Sequence, residues 1–181
     1  MNKMPPFVLD STVIFNFCKT GNFSILSKLY AENMIIPTDV FLEIVVHSDV
    51  DIIIRQAIND KIIEQYSIDC NSENDEIRFY LDIRKKYGLG ESACIAIAKK
   101  RRCTVVSDDM RAVVRLCRRE GIKFMGTLGV LYEAYDKGII NQEEGQKILS
   151  DMIITSRYRS PVRDFQEIID WFKDGQGREL F

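Results

Sequence analysis

Carboxylate side chains stand at several positions where a folded chain could bring them together for chemistry. Asp10 and the pair Asp108-Asp109 each follow a short apolar segment of the kind that forms a buried strand. Glu91 begins a small-residue apolar segment, and Glu43 has apolar neighbours that predict a partly buried carboxylate. Because ligands bind outside the carboxyl ends of parallel strands, we expect these groups to converge on one edge of a sheet.

A cluster of such groups would need a cation or unusual protonation. Carboxylates gathered about 5–6 Å apart would repel by about 3 kcal/mol for each ionised pair at an effective dielectric constant of ~20. A bound cation or raised pKa values would relieve that repulsion, and oxygen ligands select hard ions such as Mg²⁺ or Mn²⁺. Such an ion can activate water and stabilise the charge that develops when a phosphodiester is cut. The residue types therefore indicate metal-dependent phosphodiester hydrolysis.

Each carboxylate also has a simpler structural explanation. Asp10 fits a turn, Asp109 fits a helix N-cap, and Glu91 fits the first turn of a helix, where the dipole favours an acid. Glu43 fits a surface side chain that pairs with an arginine. Only the joint placement of these residues favours a common site.

Other residue types disfavour several kinds of chemistry. The single histidine, His47, disfavours histidine-based metal sites and a Ser-His-Asp or Cys-His mechanism. The five cysteines include no Cys-x-x-Cys pair, which predicts reduced, mostly buried thiols. The chain has no P-loop and no Gly-x-Gly-x-x-Gly motif. Its net charge of −2 gives no general attraction to nucleic acid, so such binding would depend on local basic residues.

The elements predicted around these residues alternate between strands and helices. Strands are predicted at 7–9, 34–36, 62–66 and 104–106. Helices are predicted at 12–18, 23–30, 38–46, 51–59, 74–87, 91–98, 110–120, 127–137, from the capping box at 141–144 onward, and at about 165–172. Such alternation is typical of an α/β protein with a parallel sheet covered on both faces.

The length of 181 residues fits a single folded unit. We expect the principal domain over residues 1–155, and a C-terminal linker and helical tail over residues 156–181 that packs on the same domain. The sequence shows no signal peptide and no apolar run of about 20 residues. We therefore expect a soluble, cytoplasmic protein without membrane association.

The order and spacing of these motifs resemble a known family. The segments that carry the resemblance are Phe7-Val8-Leu9-Asp10-Ser11-Thr12-Val13-Ile14, Val40-x-x-Glu43, Gly88-Leu89-Gly90-Glu91-x-Ala93-x-Ile95-Ala96, Val105-Val106-Ser107-Asp108-Asp109 and Gly121-Ile122-x-Phe124-x-Gly126-Thr127-Leu128-Gly129-Val130-Leu131. Together they resemble the PIN-domain nucleases, which include the ribonuclease toxins of type II toxin–antitoxin pairs, and especially a prokaryotic PIN-like subgroup. The resemblance covers residues 7–155 and implies a three-layer α/β/α fold with a central parallel sheet.

The resemblance also implies roles for particular residues. The implied catalytic quartet is Asp10, Glu43, Glu91 and Asp109. The implied ligands of Mg²⁺ or Mn²⁺ are Asp10, Glu91 and Asp109, with Asp108 a second candidate for the last position. The polar residues that match supporting positions are Thr12, Asn16 and Ser107. At the third acid many relatives have aspartate, so Glu91 reaches one methylene further.

The activity implied by the resemblance is that of a metal-dependent endoribonuclease acting on single-stranded RNA. A toxin would have an antitoxin protein as its partner, and homodimers are common in the family. Arg111 and Arg115 are the predicted nucleic-acid-binding residues, because their spacing places both on one face of the helix that follows Asp109. The alternative is a catalytically weak PIN-like module that binds nucleic acid or protein without cutting.

Overall fold

The centre of the protein is a parallel β-sheet. The computed structural model describes residues 6–69, 74–109 and 112–175. The strands in these ranges are β1 (Phe7–Leu9), β2 (Met34–Pro37), β3 (Ile63–Tyr66), β4 (Thr104–Val106) and β5 (Phe124–Met125). Their order across the sheet is β3-β2-β1-β4-β5, and every neighbouring pair is parallel.

Helices connect the strands and cover the sheet. The helices in the described ranges are α1 (Ser11–Lys19), α2 (Phe23–Tyr30), α3 (Thr38–Ile44), α4 (Ser48–Asn59), α5 (Asp75–Ile83), α6 (Leu89–Arg101), α7 (Ala112–Glu120), α8 (Thr127–Asp136), α9 (Gln142–Thr155) and α10 (Phe165–Lys173). The architecture is a three-layer α/β/α fold, so the fold predicted from the sequence is confirmed. None of the helices in the described ranges is long and apolar enough to cross a membrane.

The position of the central strand β1 determines which strand ends lie side by side at the carboxyl edge of the sheet. It lies between β2 and β4, and in the register with β4, Leu9 is opposite Val106. Both strands are fully buried, as expected for apolar strands with helices on each face. The backbone N–H of Asp10 donates to the carbonyl of Val106 at 2.9 Å. The segments that follow β1 and β4 therefore leave the sheet side by side.

Some elements differ from the sequence prediction. Strand β5 was not predicted, because two half-buried residues give no recognisable alternation. Helix α4 begins at Ser48, three residues before the predicted start, and acidic residues occupy its first turn. Helix α5 ends at Ile83, and the basic residues after it form a turn rather than the predicted last helical turn.

The C-terminal helix α10 packs on α8 and α9. Phe165 is fully buried, and its ring lies over Gly145 of α9, where a Cβ atom would come within 2.5 Å of the ring. Phe172 stacks on Tyr132 of α8 with the ring centres 4.4 Å apart. The apolar side of α10 is therefore part of the main core.

The four cysteines in the described part of the chain are buried and free, as the sequence predicts. They are Cys18, Cys94, Cys103 and Cys117. They behave as small apolar core residues.

Candidate active site

Three of the predicted carboxylates meet at the carboxyl edge of β1 and β4. Asp10 follows β1, Asp109 follows β4, and Glu91 lies in the first turn of α6. The carboxyl groups of Glu91 and Asp109 lie within hydrogen-bonding reach of each other, and Asp10 is near enough for its charge to act on Glu91. These residues come from distant parts of the sequence, so the sheet topology creates the cluster.

Asp10 is the buried centre of the cluster. The hydroxyl groups of Thr12 and Ser107 both donate to its Oδ2 atom, at 2.7 Å and 2.8 Å. Burial raises the pKa of Asp10, and these two hydrogen bonds oppose that rise. The hydroxyl of Ser107 also accepts the backbone N–H of Asp109 at 3.1 Å, which ties the two acidic segments together.

Glu91 is half-buried and combines a local structural role with a place in the cluster. Its Oε2 atom accepts the backbone N–H of Gly88 at 3.2 Å, as in the helix-start explanation. Burial raises the pKa of Glu91, and the hydrogen bond and charge of Asp109 raise it further. Two ionised carboxylates this close would repel each other, which makes the pair a favourable place for a cation.

Glu43 lies at the open rim of the cluster. It is exposed, not partly buried as its apolar neighbours suggested, because Val40, Phe41 and Ile44 occupy the core-facing side of the short helix α3, while Glu43 shares the exposed side with Leu42. The Ser11 hydroxyl donates to its Oε2 atom at 2.8 Å. A Cβ atom on Gly90 would lie 2.6 Å from Oε1 of Glu43, so the absence of a side chain at that position permits the close approach of α6.

Asp108 belongs to a separate hydrogen-bond network. Its Oδ1 atom accepts the backbone N–H of Thr127 at 2.8 Å. Its Oδ2 atom accepts the Thr127 hydroxyl at 2.6 Å and the Asn16 amide at 2.9 Å. Burial raises the pKa of Asp108 to about 6, and these donors oppose the rise. Asp109, rather than Asp108, is thus the aspartate that meets Glu91.

Four residues at this edge were not predicted as site residues: Ser11, Gly90, Cys94 and Thr127. Ser11 directly follows Asp10, and Thr127 is the first residue of α8, directly after the N-cap Gly126. Cys94 is buried beneath the carboxylates, and its thiol donates to the carbonyl of Leu9 at 3.7 Å. The contacts of Gly90 and Thr127 depend on tertiary packing, so local sequence gives no signal for them.

The structure describes one of the two predicted nucleic-acid-binding arginines. Arg115 is exposed on that helix, which follows Asp109. Arg111 lies outside the described residues. Arg115 therefore offers an exposed guanidinium on the segment that leaves the acidic cluster.

The comparison with protein families identifies the family of this chain. A family model described as DUF3368, a PIN domain, matches residues 6–173. The chain belongs to the PIN-domain family. A search of curated proteins finds no match. PIN domains are generally nucleases, and PIN nucleases generally use divalent metal ions.

The carboxylates of this PIN domain suit a hard divalent cation by their donor chemistry. In the part of the chain that the structure describes, no group of three or more carboxylate, cysteine or histidine side chains is arranged so that it could hold a metal ion by itself. Mg²⁺, however, is commonly held by one or two carboxylates together with water and phosphate oxygens. The adjacent carboxyl groups of Glu91 and Asp109 provide oxygen donors at a point where a positive charge would relieve their repulsion. The donor set therefore fits Mg²⁺ or Mn²⁺.

Proposed function

We propose that this PIN domain is a Mg²⁺- or Mn²⁺-dependent endoribonuclease that hydrolyses phosphodiester bonds of single-stranded RNA. The observation that carries the proposal is the close approach of the Glu91 and Asp109 carboxyl groups beside the buried Asp10. Membership of the PIN-domain family supports a nuclease. Single-stranded RNA is proposed because the motifs resemble those of the ribonuclease toxins.

In this proposal Asp10, Glu91 and Asp109 hold the cation. When bound, the ion activates water and stabilises negative charge on the reacting phosphate. The hydroxyl groups of Thr12 and Ser107 already orient Asp10, so less ordering is needed when ligands bind. Asp108 is given no ligand role, because donors from α1 and α8 occupy both of its oxygens.

Glu43 is proposed to accept the proton of the attacking water. It is exposed at the rim of the cluster, and the Ser11 hydroxyl fixes one of its oxygens at 2.8 Å. In the reaction the water oxygen bonds to phosphorus, and the bond from phosphorus to a ribose oxygen breaks. The leaving oxygen takes a proton from solvent. Arg115, together with Arg111, is proposed to contact the phosphates of the bound strand.

A toxin role is part of the proposal, with cytoplasmic RNA as the target. An antitoxin protein and a second copy of this chain are the proposed protein partners. Leu42, Val46 and Ile52, on and between α3 and α4, expose 60%, 76% and 68% of their surface. We propose that these exposed apolar side chains contribute to the surface that a protein partner covers. Expression of the wild-type chain should arrest cell growth, and expression of Asp10→Asn should not.

A non-cutting module that binds RNA or protein is the second candidate. The observation that favours it is that no group of three or more side chains in the described residues is arranged so that it could hold a metal ion by itself. Such a module would bind RNA equally well with and without the acidic cluster intact, and it would release no products.

The deciding experiment is cleavage of end-labelled single-stranded RNA in Mg²⁺, in Mn²⁺ and in EDTA. Wild type is compared with Asp10→Asn and Glu91→Gln, all purified identically and shown to be folded by circular dichroism. Asp60→Asn is the matched control, because Asp60 is an exposed aspartate before β3, at the opposite edge of the sheet. We expect metal-dependent cutting by wild type and Asp60→Asn, and a loss of at least about a hundredfold in the two site variants.

Equal cutting by wild type and both site variants would identify a contaminating nuclease and contradict the proposal. RNA binding without cleavage in any of the metals would support the binding module instead. Cutting that persists in EDTA would reject the metal requirement.

A further inference from the structure

The segment that connects α9 to α10 lies against the acidic edge of the sheet. The Ser156 hydroxyl donates to the carbonyl of Asn16 at 3.5 Å, and the Asn16 amide in turn donates to Asp108. Tyr158 packs on the main core, and its backbone N–H donates to the carbonyl of Met152 at 3.1 Å. Burial and the nearby charge of Asp108 raise the pKa of Tyr158. The segment is therefore anchored next to Asp108, the neighbour of the proposed metal ligand Asp109.

Two arginines flank the anchored tyrosine. Arg157 and Arg159 are both exposed. Across the described residues, neither guanidinium has an ion pair or hydrogen bond, whereas Arg55, Arg101 and Arg119 each pair with a carboxylate. Two exposed arginines without a carboxylate partner in the described chain thus lie on the segment that is anchored at this edge.

The backbone at Arg157 has a conformation that is costly for a residue with a side chain. Its φ angle is 56°, in the left-handed region that glycine adopts freely. A residue with a Cβ atom in this conformation costs roughly 1–2 kcal/mol. Glycine at residue 157 would relieve this cost without removing an ion pair or hydrogen bond of the guanidinium within the described chain, and Lys61 has the same conformation for comparison.

An acidic cluster that cuts RNA also has to overcome its repulsion of the substrate. The net charge of the whole chain is −2, so the protein as a whole does not attract RNA. Local cations beside the cluster would attract the phosphates and hold the strand in place. Arginine suits this task, since its planar guanidinium can bind a phosphate with two parallel hydrogen bonds.

We propose that Arg157 and Arg159 bind phosphate groups of single-stranded RNA beside the acidic cluster and hold the strand against it. This inference rests on the proposed ribonuclease function and adds a positioning surface formed by the α9–α10 connection. The two arginines act on substrate binding, and the bond-breaking step stays with the carboxylates.

The test measures RNA binding separately from cleavage. Arg157→Gly, Arg159→Ala and the double variant are made in the full-length chain carrying Glu91→Gln. Their affinity for a fluorescent single-stranded RNA oligonucleotide is followed by anisotropy in Mg²⁺ over a series of KCl concentrations. We expect the double variant to bind roughly tenfold more weakly, and the slope of log affinity against log salt to decrease by about 0.7 for each arginine removed.

Lys61→Gly is the matched control. Lys61 is also exposed and has a φ angle of 59°, but it precedes β3 at the opposite edge of the sheet. The substitution removes one positive charge and relieves the same backbone conformation, so it should leave affinity and salt slope unchanged. Arg157→Gly should unfold at the same or higher urea concentration than its parent while binding RNA more weakly. A purely structural role for Arg157 predicts instead that the variant unfolds at a lower urea concentration and binds RNA as tightly as its parent.

Cleavage kinetics of the same substitutions in the otherwise wild-type chain complete the test. We expect KM to rise with kcat nearly unchanged. If the arginine variants bind RNA as tightly as Lys61→Gly, or if all variants weaken equally, the inference is overturned while metal-dependent cutting by wild type still upholds the ribonuclease. If wild type neither binds nor cuts RNA, the proposed function itself fails, and this inference fails with it.

Discussion

At the scale of single residues, Asp108 shows how burial and hydrogen bonding compete at one carboxyl group. Burial raises its pKa to about 6, although donors from Thr127 and Asn16 favour the charged form. Because this pKa lies above the ordinary value of 3.8, the folded chain holds the proton more tightly than the unfolded chain does. The stabilisation is therefore present at low pH and is lost as the pH rises through the folded pKa.

The first prediction concerns the pH dependence of stability and uses Asp108→Asn, which cannot titrate. In EDTA, the free energy of unfolding of wild type relative to Asp108→Asn should fall by about 2 kcal/mol between about pH 4.5 and about pH 7.5. Urea unfolding at a series of pH values measures this difference. A difference that stays constant over the range, or that grows with pH, would contradict the raised pKa.

The second prediction concerns Gly90→Ala. The added methyl group would lie 2.6 Å from Oε1 of Glu43 and 3.1 Å from Cγ2 of Val40, so Glu43 must move away from Ser11. Alanine favours the helix over glycine by roughly 0.5–1 kcal/mol, which offsets part of the crowding and keeps stability within about 1 kcal/mol of wild type. We expect kcat for RNA cleavage to fall about tenfold because Glu43 is displaced.

A double-mutant cycle checks that Gly90 acts through Glu43. In a Glu43→Ala background the space beside residue 90 is open, so Gly90→Ala should change kcat little further. If the two substitutions lower kcat independently, Gly90 is needed for another reason, such as the path of α6.

At the scale of secondary-structure elements, the fold collects helix starts as well as strand ends at the acidic edge. Helix α1 begins directly after Asp10, α6 begins just before Glu91, and α8 begins with the residue that holds Asp108. The N-terminal end of a helix carries partial positive charge and free N–H groups. Half-buried carboxylates are therefore tolerated at this edge before any cation binds.

The sequence predicts the elements that have a clear apolar pattern and misses those defined by tertiary contacts. The strands β1 and β4 and the buried helix α6 follow from short apolar runs bounded by turn residues. Strand β5 has only two half-buried residues, and its identity depends on pairing with β4. The separate tasks of Asp108 and Asp109 depend on α8, because Thr127 lies 19 residues away from Asp108.

The third prediction tests the packing of α10 with Phe165→Ala. The ring is fully buried against Gly145 and makes an edge contact with Tyr135, with centres 5.9 Å apart. Removing it should lower the free energy of unfolding by roughly 3–5 kcal/mol. Leu81→Ala is the control, because Leu81 is 47% exposed on α5 and should change stability by less than about 1 kcal/mol.

Urea unfolding monitored by far-ultraviolet circular dichroism measures both variants. A small effect of Phe165→Ala would mean that α10 is not an integral part of the core. An early, separate transition would mean that the helix unfolds independently of the sheet.

At the scale of the whole molecule, the concentration of like charges at one edge connects stability to metal binding. Carboxylates that lie close together in the folded protein separate when it unfolds, so their mutual repulsion destabilises only the folded state. A cation that binds the folded cluster relieves this repulsion and stabilises the protein by mass action. The proposed site should therefore be detectable without any nuclease assay.

The fourth prediction is that Mg²⁺ or Mn²⁺ raises Tm through the acidic cluster. At a metal concentration about a hundred times the dissociation constant, the stabilisation is about 2.7 kcal/mol, which corresponds to a rise of about 5–10 °C for a chain of this size. Differential scanning fluorimetry in the presence of increasing metal, with EDTA as the baseline, measures the shift. Wild type and Asp60→Asn should respond equally, because Asp60 is at the opposite edge of the sheet.

Asp10→Asn and Glu91→Gln should behave differently in both conditions. In EDTA they should be as stable as wild type or more stable, since each removes a charge from the crowded cluster. With metal they should show little or none of the rise in Tm, since each removes a proposed ligand. A rise equal to that of wild type in both variants would place the metal elsewhere on the protein and separate metal binding from the carboxylates of β1 and α6.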